Sequence, residues 1–321
     1  MKGPRADGRR ILPAGIADPG ELESRLADTG YLADDGLATA VFLSLVLERP
    51  LFLEGEAGVG KTSLAFALGD LMGAPVIRLQ CYEGISASQA LYDWNFPRQL
   101  LHMRAAEAAG ACGQDDAGDL PADLVGVDRL ERDVYSRHYL LARPLLSALE
   151  TSPCVLLVDE VDRADDEFEA LLLEVLSDYT VTIPELGRVR AEVPPAVVLT
   201  SNRTREVHDA LKRRCLYHWI EHPSFEREVA IVRRRVPLAS EALARQVAAA
   251  VQALREEDLQ KPPGVAETID WTLALLALGA DSLGPDAAVA TLGTVLKNRD
   301  DQLHALGSGV PTTIARAAGR G

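Results

Sequence analysis

Short hydrophobic runs alternate with segments of helical spacing through the first two thirds of the chain. Five runs have the length and aliphatic content of buried strands, and they begin at Leu51, Val76, Cys154, Ala196 and Leu216. Buried runs separated by helices are typical of a parallel sheet covered on both faces. The pattern therefore predicts an α/β fold of three layers, with the sheet between two layers of helices.

A helix and a hairpin are predicted between the third and fourth runs. Spacings of three and four residues give the helix one buried face, formed by Phe168, Leu171, Leu172, Val175 and Leu176. The segment TVTIPELGRVRAEV that follows predicts a β-hairpin with its turn near residues 185–187.

The domain organisation follows from where these patterns change. We predict a flexible N-terminus over residues 1–20, a core over 21–223 and a helical second domain over 224–321. The core should open with a helical segment, Glu21–Glu48. Residues 109–127 are small, acidic and rich in glycine, which predicts a surface loop.

The overall charge limits the kinds of partner. The 321 residues carry a formal net charge of −15, which argues against a protein that coats DNA or an anionic membrane. The longest apolar run, Leu37–Leu47, is too short to span a bilayer, and no export signal is recognisable. The four cysteines are scattered, which favours a reduced cytoplasm; they are Cys81, Cys112, Cys154 and Cys215.

The segment GEAGVGKT after the first strand fits a phosphate-binding loop. Glycines allow such a loop to turn its backbone N–H groups toward a phosphate. Lys61 is expected to reach the β- and γ-phosphates, and the Thr62 hydroxyl to bind Mg²⁺. A glycine-rich turn that matches by chance is the alternative, but the strand before it and the helix after it favour the phosphate loop. The expected contacts are Gly55, Glu56, Ala57, Gly58, Val59, Gly60, Lys61, Thr62 and Ser63.

Acidic residues follow the third strand, in CVLLVDEVDRADDEF. The strand delivers Asp159 and Glu160 at its carboxyl end, where parallel sheets bind ligands. We predict that Asp159 holds Mg²⁺ and that Glu160 activates water for attack on the γ-phosphate. A helix-start acidic cluster explains residues 165–167 but not this pair. Without an Asn-Lys-x-Asp motif for guanine, ATP is the expected nucleotide.

Polar residues also end the fourth strand, in VVLTSNRTRE. The Asn202 amide could hold the attacking water or a phosphate oxygen, although Ser-Asn is also ordinary turn chemistry. A basic triplet, Lys212, Arg213 and Arg214, follows before the fifth strand. A basic helix terminus is the alternative to a functional role for the triplet, and it suits Lys212.

The order of these motifs resembles AAA+ ATPases. LFLEGEAGVGKT, DEVDRAD and TSNRTREVHDALKRRC resemble the MoxR family in particular. The stretch RLQCYEGISASQALYDWNFPRQLL resembles its CoxD-like branch, which is linked to maturation of molybdenum-containing carbon monoxide dehydrogenase. The resemblance covers about residues 30–275. It implies a P-loop core with a helical lid, a ring that is usually a hexamer, nucleotide at subunit interfaces, and a protein client, often with a von Willebrand A-domain partner.

The resemblance also implies roles for single residues. Asn202 matches sensor 1, and Gln80 is a candidate nucleotide-sensing residue. Arg213 and Arg214 match the position of the arginine finger that acts on a neighbouring subunit's nucleotide, and we favour Arg214. Many relatives carry a sensor-2 arginine at the start of a lid helix, but here residues 264–271 read GVAETIDW, without Arg or Lys. Sensor 2 is therefore left unassigned.

Two further groups have competing interpretations. Tyr82 and Trp94 could contact a client after the second strand, or residues 85, 92 and 96 could form a packed helical face. His218 and His222, with Cys215 nearby, suggest a metal site. On a strand, four residues span about 13 Å, too far for the two rings to share an ion.

The motifs and the resemblance together predict a cytoplasmic, MoxR-type ATPase that remodels a client metalloenzyme. The alternatives are an AAA+ motor or loader acting on nucleic acid, a chelatase-type metal-insertion subunit or small-molecule kinase, and a scaffold that does not hydrolyse ATP. No basic DNA-binding appendage is recognisable, so we expect no nucleic-acid partner.

Overall fold

The computed structural model describes residues 12, 13, 15–110 and 133–307 of the chain. Most of the N-terminus expected to be flexible, most of the loop expected over 109–127, and Cys112 lie outside the described residues. Nine strands are described: β1 (Leu51–Gly55), β2 (Val76–Gln80), β3 (Tyr92–Trp94), β4 (Leu140–Ala142), β5 (Val155–Asp159), β6 (Thr180–Ile183), β7 (Gly187–Arg190), β8 (Ala196–Ser201) and β9 (Leu216–Ile220).

Helices precede, connect and follow these strands. Before β5 lie α1 (Pro19–Asp28), α2 (Asp35–Leu47), α3 (Lys61–Met72), α4 (Ala87–Ala90), α5 (Phe96–Gly110) and α6 (Pro144–Glu150). After β5 lie α7 (Asp166–Asp178), α8 (Asp209–Arg214), α9 (Phe225–Arg235), α10 (Glu241–Arg255), α11 (Val265–Ala277), α12 (Pro285–Val295) and α13 (Arg299–Gly307).

The five predicted strands form one parallel sheet in the order β2-β5-β8-β1-β9. Successive side chains of a strand point to opposite faces. On β5, Leu156 and Val158 accordingly join one hydrophobic core, with α6 and α7, whereas Val155 and Leu157 join the other, with α2 and α3. Both faces are covered, so the predicted three-layer architecture is confirmed.

The predicted helix and hairpin after β5 are also present. Helix α7 begins where Asp165 accepts a hydrogen bond from Phe168 N at 2.9 Å, which satisfies a free N–H of the first turn. Phe168, Leu172 and Val175 are buried on its inner face. Strands β6 and β7 pair in antiparallel fashion, with Ile183 opposite Gly187 at the turn.

The prediction of one helical segment over Glu21–Glu48 is wrong in its middle. Helix α1 ends at Asp28, and α2 begins after Asp34, whose carboxylate caps it by accepting from Leu37 N at 2.7 Å. Gly30, with φ of 89°, lies in the connection, where a left-handed conformation interrupts the helix. This connection brings residues 29–32 and Asp34 to the wall of a cleft of about 780 Å³.

The alternative of a packed helical face over residues 85, 92 and 96 is wrong. Tyr92 lies on β3, which pairs with β4, and Ile85 is buried before α4 begins. Phe96 starts α5 and leaves 60% of its surface exposed. Trp94 packs edge-on against Tyr135, with ring centroids 5.3 Å apart.

Helices α9–α13 form the helical region predicted after the sheet. Most of them share a separate hydrophobic core around Trp271, whose indole N–H donates to Thr291 Oγ1 at 2.7 Å. Helix α9 begins at Phe225, directly after the linker Glu221–Ser224. The division into two domains near Ser224 stays a prediction. None of the described helices has the length and apolar character needed to cross a membrane.

Candidate functional site

A cleft of about 780 Å³ opens at the carboxyl ends of β1, β5 and β8. Its walls are the loop between β1 and α3, the polar ends of β5 and β8, the linker after β9 and the first turn of α11. Ligands of open parallel sheets bind at this edge. The cleft brings together the predicted phosphate loop, Asp159, Glu160 and Asn202.

The loop between β1 and α3 has the shape that a phosphate requires. Gly55 lies so close to β9 that an added Cβ would come within 2.4 Å of Ile220 O. Gly58 and Gly60 have φ of 78° and 97°, the left-handed region that favours glycine. In the described part of the chain, the backbone N–H groups of Ala57 to Gly60 donate no hydrogen bond to protein. Unpartnered N–H groups at a helix N-terminus fit an anion.

Lys61 lies inside this loop and is almost fully buried. Its ammonium donates to Gly55 O at 2.8 Å and to Glu56 O at 2.7 Å. Burial lowers the pKa of Lys61, and the carboxylates of Asp162, Glu56, Asp159 and Glu160 oppose that shift. An amine held only by carbonyl oxygens can transfer its hydrogen bonds to phosphate oxygens.

Two hydroxyl groups converge on one oxygen of Asp159. Thr62 Oγ1 donates to Asp159 Oδ1 at 3.0 Å, and Thr200 Oγ1 donates to the same oxygen at 2.5 Å. The other oxygen, Oδ2, accepts from Arg78 Nη2 at 2.6 Å. Hydroxyl and carboxylate oxygens this close to a phosphate loop match the ligands that Mg²⁺ prefers. Arg78, which sequence reasoning missed, is the only cation paired with Asp159 among the described residues.

Glu160 is held at the end of β5 in an unusual backbone conformation. Its φ of 54° is left-handed, which costs energy for a residue with a side chain. Unlike Glu48 and Tyr179, which have similar φ as helix C-caps, Glu160 lies at a strand end beside the cleft. Oε2 accepts from Gln80 Nε2 at 2.9 Å and pairs with Arg163 Nε at 3.1 Å. Asn202 Nδ2 lies 3.5 Å from Oε1. Gln80, Glu160 and Asn202, each singled out separately in the sequence, therefore meet in space.

Asp162 fixes the loop that carries Asn202. This carboxylate is buried and accepts from Asn202 N at 3.2 Å, Thr204 N at 2.8 Å and Thr204 Oγ1 at 2.7 Å. Sequence reasoning missed this role, although a second aspartate two residues after Glu160 was a visible signal. The hydrogen bonds tie the ends of β5 and β8 together.

The basic triplet lies on α8, away from the cleft lining. Lys212 Nζ lies 3.4 Å from Glu54 Oε1, so it anchors α8 to β1 and does more than cap the helix. Arg214 Nη1 donates to Leu173 O at 3.2 Å, while the exposed Arg213 guanidinium has no partner in the described chain. Arg49 caps the helix by donating to the carbonyls of Arg213, Arg214 and Cys215.

Two further residues line the cleft in roles that the sequence did not indicate. Arg227 donates to Asp34 Oδ2 at 3.1 Å and to Leu32 O at 2.6 Å, which joins α9 to the connection between α1 and α2. His222 also lines the cleft, and its buried Nδ1 has no hydrogen-bond partner among the residues that the structure describes. Burial, with help from Arg255 and Lys61, lowers the pKa of His222 to about 4, so the ring is neutral near pH 7.

The described cysteines and histidines do not assemble a metal centre. Among the described residues, no three His, Cys, Asp or Glu side chains are grouped to hold an ion. Burial raises the pKa of the free thiols of Cys81 and Cys215 to about 12 and that of Cys154 to about 11. These thiols are poor nucleophiles at neutral pH.

A comparison with protein families identifies the family to which the chain belongs. The sequence model of the AAA domain, dynein-related subfamily, matches residues 50–215, more than half of the chain. The chain belongs to this AAA family. It is an ATP-hydrolysing enzyme with a nucleotide-binding P-loop fold, as predicted, and members of the family typically assemble as rings.

The fold of the chain is also similar to solved structures. A structure of the RuvB Holliday junction branch migration motor from Thermotoga maritima is 16% identical, with a TM-score of 0.44 over 88% of this chain and 70% of that chain. A mutant of the same motor is 14% identical, with a TM-score of 0.46 over 89% of this chain and 73% of that one. No curated protein matched the sequence.

Proposed function

We propose that the cleft binds and hydrolyses Mg·ATP through the residues predicted from the sequence. The loop Gly55–Ser63 would surround the phosphates, with Lys61 on the β- and γ-phosphates. Thr62 and Asp159 would hold Mg²⁺, which supplies positive charge against the phosphate oxygens. The unpartnered N–H groups of the loop and the 3.0 Å contact between Thr62 and Asp159 support this assignment.

Glu160 would orient the attacking water and accept its proton. The observation that carries this role is the position of its carboxylate, held between Gln80 and Asn202 at the strand end beside the phosphate loop. Asn202 would hold the water or a γ-phosphate oxygen. A base positioned in this way contributes about 10²- to 10⁴-fold to rate.

Arg213 and Arg214 would act on the nucleotide of a neighbouring subunit in a homo-oligomeric ring, which we propose is a hexamer. Both are exposed and neither lines the cleft of its own chain, which supports action on another subunit. A guanidinium supplied by a neighbour contributes about 10³- to 10⁵-fold in other P-loop systems. We retain Arg214 as the first candidate for the finger.

Mixed rings test these roles together. Arg214→Ala and Glu160→Gln rings should each release little phosphate from ATP. In a mixed ring, an Arg214→Ala subunit keeps Glu160 and receives its arginine from a Glu160→Gln neighbour, so phosphate release should partly return. Arg213→Ala is tested in the same mixed rings, and the arginine whose removal causes the larger loss and the larger recovery is the finger. No recovery in rings shown to be mixed would contradict an arginine that acts between subunits.

The client we propose is a metalloenzyme undergoing maturation, of the molybdenum-containing carbon monoxide dehydrogenase type. This proposal rests on the resemblance to the CoxD-like branch of the MoxR family, which also suggests a von Willebrand A-domain partner. Tyr82, 45% exposed in the segment after β2, is our candidate client contact. Because Glu160→Gln should hold ATP without turnover, this variant should retain the client protein with ATP. Adding Tyr82→Ala to Glu160→Gln should reduce the amount of client retained. If the double variant retains as much client as Glu160→Gln alone, Tyr82 is not a client contact.

We propose a core over residues 21–223 and a lid over 224–321, acting in the cytoplasm. A nucleic-acid motor and a chelatase-type subunit remain the alternatives. Strong stimulation of phosphate release by DNA would favour the first, and stimulation by a metal-free cofactor would favour the second. Neither is favoured by a specific contact in the described chain, and the net charge of −15 opposes DNA binding.

A further inference from the structure

Two glycine backbones meet where the lid touches the phosphate loop. A Cβ added to Gly264 would come within 2.7 Å of both Ala57 O and Gly58 Cα. A Cβ added to Gly58 would in turn lie 3.0 Å from Gly264 Cα. Real Cβ atoms essentially never come as close to backbone atoms as 2.7 Å, so position 264 requires glycine. Gly58 has φ of 78°, in the left-handed region that favours glycine, so it too is suited to the contact.

Hydrogen bonds from the first turn of α11 complete this contact. Val265 N donates to Gly58 O at 3.0 Å and Ala266 N donates to it at 3.4 Å. The first N–H groups of a helix have no partner within the helix, and here a carbonyl of the phosphate loop accepts from them. Glu267 accepts from Gly264 N at 2.9 Å, so the N-cap is also satisfied.

The anchored carbonyl determines how a neighbouring N–H group is oriented. In a planar trans peptide, the carbonyl oxygen and the N–H group that follows it point in opposite directions. The α11 turn that holds Gly58 O therefore also sets the direction of Val59 N–H. This N–H group belongs to the set that has no protein partner in the described chain and that we assign to phosphate.

On the lid side, a buried network holds the segment that makes the contact. Arg255 donates to Pro263 O at 2.7 Å and to both carboxylate oxygens of Glu228, at 2.7 and 2.8 Å. Thr268 Oγ1 bonds Glu228 at 2.6 Å and Gly264 O at 3.1 Å. Gly264 is thus fixed to α9, α10 and α11 at once.

We propose that Gly264 is a positioning residue for nucleotide binding. The first turn of α11, seated on Gly58, holds the phosphate loop in its binding shape. The lid then acts on the phosphates through backbone contacts, in a segment that has no basic side chain over residues 264–271. The inference rests on the phosphate site proposed above, since it concerns the shape of that same loop.

The chain provides a matched control for the test. Gly264 and Gly284 are the N-caps of α11 and α12, with φ of −87° and −84° and extended ψ. A Cβ on Gly284 meets nothing within 4 Å. Gly264→Ala and Gly284→Ala therefore share the same change in cap preference, and only the first pushes a methyl group into the phosphate loop.

The measurement is displacement of a fluorescent ADP analogue by ADP and by adenosine. Gly264→Ala should weaken ADP binding by about tenfold or more, a shift of the size that one lost polar contact produces. Adenosine binding should stay within about twofold, because it has no phosphates, and Gly284→Ala should change neither. Equal ADP affinity in Gly264→Ala and Gly284→Ala would overturn the inference, as would an equal loss for adenosine.

A second variant covers the case in which Gly264→Ala does not fold. Val265→Pro removes the N–H group that donates to Gly58 O, at the first position of the helix, where proline is tolerated. Proline already occupies that position in α12, at Pro285. In Val265→Pro, the affinity for ADP should fall and the affinity for adenosine should stay the same. Unchanged affinity for ADP would overturn the inference.

Lys61→Ala separates this inference from the proposed function. If Lys61→Ala binds ADP like the unmodified protein, the phosphate site itself is wrong. If Lys61→Ala loses ADP while Gly264→Ala and Val265→Pro keep it, the phosphate site stands and the positioning role of Gly264 is wrong.

Discussion

Two glutamates of this protein, Glu160 and Glu228, are held in opposite ways. Glu228 is wholly buried, and its oxygens receive both Nη groups of Arg255 and the hydroxyl of Thr268. Glu160 leaves 29% of its side chain exposed at the cleft, in a left-handed conformation. One of its contacts, to Asn202, is 3.5 Å long, near the limit of a hydrogen bond.

This difference is the one we expect between a structural carboxylate and the proposed catalytic base. A buried charge is stable only when it is paired and its oxygens are satisfied, which describes Glu228. A base must keep an oxygen accessible to water in a fixed geometry, and the strained strand end beside the cleft provides that for Glu160. The same substitution, glutamate to glutamine, should therefore have opposite effects at the two positions.

The largest effect on turnover is expected for Glu160→Gln. Glutamine keeps the size of the side chain and one acceptor oxygen but cannot accept the proton of the attacking water. Release of free phosphate from ATP should fall about 10²- to 10⁴-fold. Affinity for ATP, measured by equilibrium titration, and the thermal midpoint should stay close to the unmodified values. Unchanged turnover would exclude Glu160 as the base.

The largest effect on stability is expected for Glu228→Gln. The substitution leaves the buried Arg255 guanidinium without its counter-charge, and breaking a buried pair costs about 3–5 kcal/mol. Chemical denaturation should detect this loss in the free energy of unfolding. Replacing both residues, Glu228→Gln with Arg255→Met, should recover part of it, because no unpaired charge remains. If Glu228→Gln were as stable as the unmodified protein and lost turnover like Glu160→Gln, the two glutamates would not differ in role as we propose.

Glu160 could be predicted from the sequence, whereas Glu228 could not. Glu160 follows a hydrophobic run and belongs to a short motif, so local pattern was sufficient to find it. Glu228 and Gly264 depend on partners brought together by folding, and nothing in their local sequence records the burial or the approach of Gly58. Asp162 lies between these cases, since its motif was visible but its hydrogen bonds to the Asn202 loop were not.

The smallest effect is expected for Arg78→Ala, which tests how firmly the Asp159 carboxylate is held in the cleft. Arg78 pairs with Asp159 Oδ2 at 2.6 Å, but its side chain is 48% exposed. Ion pairs this accessible contribute about 0.2–1 kcal/mol, because water screens them. If Arg78 competes with Mg²⁺ for Asp159, the Mg²⁺ concentration that half-saturates hydrolysis should fall by up to about fivefold in Arg78→Ala.

Arg163→Ala is the control for this last prediction, because Arg163 pairs with Glu160 at 3.1 Å and has no contact with Asp159 in the described chain. Its removal should alter turnover without moving the Mg²⁺ midpoint. A rise in the midpoint for Arg78→Ala would mean that Arg78 orients Asp159 for the metal and does not compete with it. Asp159 would then be held as firmly as Glu228. The contrast between a loosely held carboxylate in the cleft and a fully paired carboxylate in the interior would apply to Glu160 alone.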